Sequence, residues 1–174
     1  MLITLDGKTP KLGRGVFLAP NAVLIGDVEI GDDSSVWFGC VLRGDMGPIR
    51  IGRRTNIQDL TMIHMTDGIS TTSVGDDVTV GHGVILHGCA VGAAALIGMG
   101  STLLDGVTVG ARALVAAGSL VTPRTAIPEG FLARGNPAKP IRLATEDEQS
   151  MGLAGAMHYV ENAKRYRAAL GDRG

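Results

Sequence analysis

Imidazole is the side chain best suited to hold a borderline divalent metal near neutral pH. Three of the chain's four histidines, His64, His82 and His87, fall in one glycine-rich tract. Three imidazoles around an open fourth position form the ligand set of a catalytic zinc ion, which acidifies a bound water. The alternative is that they are unrelated surface or core histidines. That suits His158, which lies far outside the tract and is expected to face solvent. It suits the other three poorly, because the tract is periodic and the period places each of them.

An aliphatic residue recurs about every sixth position from 25 to 122, usually followed by glycine. The clearest run is Val74-Gly75, Val80-Gly81, Leu86-His87, Val91-Gly92, Ile97-Gly98 and Val109-Gly110, and an earlier one includes Ile25-Gly26, Ile30-Gly31, Ile51-Gly52, Ile57-Gln58 and Ile63-His64. Small residues such as Ser34, Cys40, Thr55, Val84, Ser101 and Ser119 fill a second slot. A hexapeptide period builds a β-solenoid, in which three units of about 18 residues close one triangular coil. The aliphatic side chains point inward and stack, and the glycines beside them are expected to take the tight corners at positive φ. A β-sandwich spaces its strands about 8–12 residues apart and does not fit this beat. The composition agrees, with 45% hydrophobic but only 3% aromatic residues and 26 glycines among 174. The expected fold is mainly β, a left-handed parallel β-helix, its handedness following known solenoids of this repeat.

The β-helix with its N-terminal lead-in is expected over residues 1–143, the coil ending near Thr122-Pro123 and a proline-rich extended connector following. A helix is expected over residues 144–170, opened by a capping box at Thr145-Glu146-Asp147-Glu148. Met151, Ala154, Met157 and Val160 form its expected packing face, with Gly152 and Gly155 weakening it. The tail, 171–174, is expected to fray. A net charge of −1 gives no case for nucleic acid or an anionic membrane. No apolar run is long enough to cross a bilayer, and the N-terminus does not read as a secretory signal. The two cysteines, Cys40 and Cys89, do not make a disulfide framework, and a cytoplasmic protein is expected.

His64 follows the core residue Ile63, and His87 follows Leu86, so both hold the same hexapeptide slot. If residues 66–73 bulge out as a loop, the two stack on adjacent coils about 4.8 Å apart. Arg43 then belongs to the same column one coil earlier. His82, in Gly81-His82-Gly83, lies on the preceding corner and points from another edge. Within one chain it does not meet the other two. Three prisms about a threefold axis bring them together, which predicts a homotrimer with three identical interfacial sites.

Arg43-Gly44-Asp45, Asn56-Ile57-Gln58-Asp59, His64, Gly81-His82-Gly83 and Leu86-His87-Gly88 together resemble the gamma-class carbonic anhydrases over nearly the whole chain. The resemblance implies that His64, His82 and His87 ligate zinc, with iron or cobalt as substitutes. It implies that Gln58 and Asn56 hydrogen-bond the bound water or bicarbonate, and that Arg43 and Asp45 bridge subunits and line the site. Asp59 becomes an acidic group of the same interface, and Tyr159 a tyrosine projected from the terminal helix towards the metal. The implied reaction is metal-hydroxide attack on CO2 to give bicarbonate, followed by proton release. The chain departs from the family pattern at the proton-transfer glutamates. Met46 stands directly after Arg-Gly-Asp, and the loop after His64 holds only Asp67. Two other readings are an acyl-CoA thioesterase or acyltransferase-like protein, suggested by Gly135-Asn136-Pro137-Ala138-Lys139, and a non-catalytic metal-binding trimer. Hexapeptide acyltransferases use one histidine as a general base without metal, and a structural zinc normally takes four protein ligands.

Overall fold

Three columns of inward aliphatic side chains hold the chain together in the computed structural model, which describes residues 1–170. On the first face Val36, Ile57, Val80, Ile97 and Val115 stack in parallel register. On the second the column is Leu24, Leu42, Ile63, Leu86, Leu103 and Val121. The third holds Ile30, Ile51, Val74, Val91, Val109 and Ile127. Every member is buried, at about 1.5–3 kcal/mol of hydrophobic stabilisation each. The result is a parallel β-solenoid of about seven turns. Leu24, rather than Ile25, is the inward residue of its coil. The small-residue slots at Ser34, Cys40, Thr55, Val84, Ser101 and Ser119 are all buried beneath a corner.

Except at Gly26, which takes positive φ as expected, the glycines that follow the aliphatic residues act differently from the sequence expectation. Positive φ falls further along the corner, at Asp33, Arg54, Asp77, Ala94 and Arg112. Glycine is needed earlier because the coils approach too closely there for a side chain. A Cβ on Gly92 would sit 2.6 Å from the amide nitrogen of Ala111.

Residues 123–143 are not an extended connector. Ala126–Ile127 and Phe131–Gly135 continue the coil, pairing with Thr108–Val109 and Leu114–Val115, and Ala138–Leu143 turns back antiparallel on the last strand. The aliphatic beat runs on through Ile127 and Ala133, both buried, while Pro123 and Pro128 stand outside the strands.

The helix, Glu146–Leu170, lies along the first face. Its capping box forms as expected. Thr145 Oγ1 accepts from the Glu148 amide at 3.2 Å, and Glu148 Oε2 accepts from the Thr145 amide at 2.8 Å. The packing face differs: Gly152, Ala156 and Ala163 are buried, whereas Met151 and Met157 are about half exposed. Steps of three alone turn the stripe by about 60° each time and carry it round the helix, whereas Gly152, Ala156, Tyr159 and Ala163 alternate steps of four and three. The expected frayed tail lies outside the described residues.

Cys40 and Cys89 are both buried free thiols. Burial pushes Cys40 up to about 11 and Cys89 up to about 12, so neither offers a thiolate near neutral pH. The folded protein is expected to resist iodoacetamide at pH 8 and to take two adducts in denaturant. Mass spectrometry showing one fast adduct on folded protein would contradict the buried placement.

Candidate metal centre

His64 and His87 are register partners on the second face, with ring centroids 5.3 Å apart. The intervening segment leaves the coil as a loop over 65–71, and the strand resumes at Thr72 rather than after Ser73. Thr72 clamps the loop's base: its hydroxyl donates to the His64 carbonyl at 2.7 Å and accepts from the Gly88 amide at 3.0 Å. A second outward excursion occurs at the same corner one coil earlier. Two residues carry the chain from Gly26 to Val28, whereas five are needed from Gly44 to Ile49. That excursion holds Asp45 and Met46.

Each of the three histidines has a carboxylate partner. Asp45 Oδ1 lies 2.9 Å from His64 Nε2, Asp59 Oδ2 lies 2.9 Å from His82 Nδ1, and Asp105 Oδ1 lies 3.2 Å from His87 Nδ1. At His82 and His87 the carboxylate takes Nδ1 and leaves Nε2 open, the usual outer support of a metal-ligating histidine, whereas at His64 Asp45 takes Nε2 itself. Arg43 pairs with Asp45, and its Nη2 lies 3.4 Å from His64 Nδ1. Burial pushes the Asp45 carboxyl up, but the Arg43 guanidinium and the His64 ring outweigh it and hold it below the usual carboxylate range. Asp105 is likewise raised by burial and lowered further by Ser70, Thr66 and His87, with a net fall. Both stay ionised at neutral pH.

His82 stands on the corner between the first and second faces, directly over Asp59, with the amide of Gly83 bonded to the Asp59 carbonyl. Among the described residues no three His, Cys, Asp or Glu side chains converge on one point within the chain. His82 therefore does not join His64 and His87 in a single copy, as the repeat implies. Leu60 and Met62, between Asp59 and His64, and Met99, one coil from His82, are 73%, 44% and 57% exposed. Large apolar side chains thus stand open between the two histidine edges. The donor set fits a borderline divalent metal: imidazoles held by carboxylates, with both thiols out of reach in the core.

Gln58 and Asn56 lie on the His82 side of the solenoid. Asn56 is buried and its amide is used by protein groups, including Gln58 Nε2 at 3.0 Å, so it reaches the site through Gln58 and not directly. Tyr159 lies half-buried on the solenoid side of the helix, its ring 5.1 Å from Trp37. Burial, then the charge of Asp59, then Tyr166 push its phenol up. His158 is exposed and bonded to Asn162 at 2.9 Å, away from the other histidines.

The sequence reasoning missed Asp105, Thr66 and Ser70. Thr66 Oγ1 donates to Asp105 Oδ2 at 2.9 Å, and Ser70 bonds Asp105 Oδ1 at 2.5 Å, so one carboxylate holds both the loop and His87. Spacing gave only a loose signal: Asp105 lies 18 residues after His87, one beyond Leu104, which the 17-residue register of this coil sets opposite it. Asp105→Ala is expected to weaken metal affinity about 10- to 100-fold. Chelator competition reads this directly, and unchanged affinity would remove the proposed support.

Comparison with known proteins gives a family and a fold. The model for the bacterial transferase hexapeptide (six repeats) matches residues 9–44. The gamma carbonic anhydrase 2, mitochondrial, of Arabidopsis thaliana is 47% identical over 168 residues, covering 94% of this chain and 60% of its own length. The chain thus spans about 60% of that plant relative. A carbonic anhydrase of Geobacillus kaustophilus is 44% identical over 168 residues, covering 97% of this chain and 92% of its own. Among solved structures, a hexapeptide transferase family protein from Anaplasma phagocytophilum superposes with a TM-score of 0.92 at 40% identity, over 95% of this chain and 98% of that one.

Proposed function

Since this chain belongs to the gamma carbonic anhydrase family, we propose that it hydrates CO2 reversibly to bicarbonate at a metal centre shared between two copies of itself. The observation that carries this reading is the in-register pair His64 and His87 beside a His82 that its own chain keeps apart from them. A homotrimer closes the set, with His64 and His87 from one copy and His82 from the next. Zinc, or iron or cobalt in its place, held by these three rings would supply the Lewis acidity that makes water nucleophilic at neutral pH.

The chain's own groups do the rest. Asp59 and Asp105 orient the His82 and His87 rings through Nδ1, and Asp45 ties His64 to Arg43. Gln58 Nε2 donates to Asn56, so its carbonyl oxygen is free to accept a hydrogen bond from the attacking water. The Arg43 guanidinium, beside His64, offers positive charge to bicarbonate as it forms. The reaction CO2 + H2O → HCO3⁻ + H⁺ leaves one proton to export. Met46 cannot take it, and Tyr159, with its phenol raised by burial, remains protonated. Asp67, exposed on the loop, or external buffer carries it. Gln58→Ala is therefore expected to lower turnover about tenfold or more while leaving metal content near wild type. Equal losses of both would assign Gln58 to metal retention instead.

The deciding experiment is stopped-flow CO2 hydration on anaerobically purified protein with its metal counted, beside His87→Ala. Turnover that follows metal content and disappears in the variant supports the reading. A second reading comes from the solved relative described as a transferase. Bound metal with no hydration, together with CoA release from acetyl-CoA, would replace the first reading with this one.

A further inference from the structure

A chain of hydrogen bonds joins the C-terminal helix to the Gln58 amide. The carbonyl oxygen of Gly152 accepts from Thr79 Oγ1 at 2.8 Å. Thr79 Oγ1 in turn accepts from Asn56 Nδ2 at 3.0 Å, and Asn56 Oδ1 accepts from Gln58 Nε2 at 3.0 Å. Asn56 is 1% exposed, Thr79 6% and Gln58 7%. Gly155 allows the approach, because a Cβ there would sit 2.5 Å from Thr79 Oγ1.

The polarity of this relay is forced from the helix end. A backbone carbonyl only accepts, so the single hydroxyl proton of Thr79 goes to Gly152. The hydroxyl lone pair then demands the NH2 end of Asn56, and the carbonyl of Val78 takes from the same group at 3.3 Å. With that amide oriented, Asn56 turns its oxygen to Gln58 and draws the Gln58 NH2 inward. The Gln58 carbonyl oxygen has no donor among the described residues. No buried side-chain nitrogen or oxygen there lacks a partner, so this oxygen is not fully buried.

We infer that Thr79 is a positioning residue, and that the docked helix sets through it which end of the Gln58 amide the site presents. The presented group is a carbonyl oxygen, an acceptor, which favours a hydrogen-bearing species such as water over the bare oxygen of an anion. The consequence for turnover rests on the proposed CO2 hydration, whereas the relay itself does not. The helix is then part of the site's machinery as well as a cover for the first face.

The test compares Thr79→Val and Thr79→Ala with Thr79→Ser, all as the full chain. Side-chain NH2 signals of Asn56 and Gln58 are followed by nitrogen-15 NMR with hydrogen exchange, beside kcat, KM, metal content and Trp37 fluorescence. Loss of the hydroxyl is expected to speed exchange of the Gln58 NH2 about tenfold and to lower kcat about five- to tenfold, with KM and metal unchanged. Thr79→Ser is expected to restore both. Wild-type exchange and turnover in both hydroxyl-free variants would overturn the inference, as would failure of serine to rescue. If the wild type does not hydrate CO2, the proposed function fails, and the exchange rates alone still decide the relay.

Discussion

Replacing His82 with alanine is expected to remove the metal and to lower CO2 hydration roughly a thousandfold or more, although His82 lies on a different edge from His64 and His87. The structure makes the cause specific. His82 stacks over Asp59 on one corner, the other two rings pair on the second face, and one copy cannot close the set. Complementation provides the sharper measurement. His82→Ala and His64→Ala are each expected to be empty alone. In equal-mixed trimers every mixed ring contains one interface where an intact His82 meets an intact His64 and His87. Random assembly therefore regains about a quarter of wild-type metal. Metal counts that stay at zero after unfolding and co-refolding the mixture would show that the ligands belong to one chain.

The second large effect is expected at Gly152. A Cβ there would run into the carbonyl oxygen of Ala94 and lie 2.7 Å from that of Ala95. Alanine is worth about 1 kcal/mol more than glycine within a helix, so propensity alone predicts stabilisation. Contact predicts the reverse: overpacking costs about 1–3 kcal/mol, and the clash is with backbone, which cannot swing away. Gly152→Ala is expected to lift the helix and lower stability by up to about 2 kcal/mol net of propensity. The sole tryptophan reports it, because Trp37 packs against Tyr159 at 5.1 Å and Tyr166 at 5.0 Å. Its emission is expected to move red as the helix leaves. A blue-shifted or unchanged spectrum with a higher melting temperature would mean that propensity wins.

Much of this architecture is legible in the sequence because each rung carries one inward aliphatic residue, so a period in the text is a column in space. The same logic sets His87 over His64. It fails where one residue type answers two physical demands. Glycine serves both positive φ and close approach, and Gly92 proves to be the second case, with positive φ given to Ala94. Proline and polar residues between 123 and 143 suggest a connector, yet Pro123, Pro128 and Pro137 flank strands, Pro140 lies in the last one, and Ile127 and Ala133 keep the beat. On the helix, large side chains drew attention from the small ones, and Gly152, Ala156 and Ala163 make the contact because they are small. Asp105 and Thr79 escaped notice because their roles depend on how a loop folds back and where a helix lies, neither of which a period encodes.

Both outward excursions of the chain leave the solenoid at the corner that carries His64 and His87, and each strand rejoins its column afterwards. The distance between these two ligands is therefore independent of the number of residues between them. It equals one rung, about 4.8 Å along the axis, whatever the excursion contains. Chain added or deleted at 67–69, between the Thr66 and Ser70 contacts to Asp105, changes what overhangs the candidate site without changing the register of His64 and His87. Ligand geometry and the surrounding chemistry can vary separately in such a scaffold, so insertions that would dismantle a site built on loops become a means of adjusting proton handling and access here.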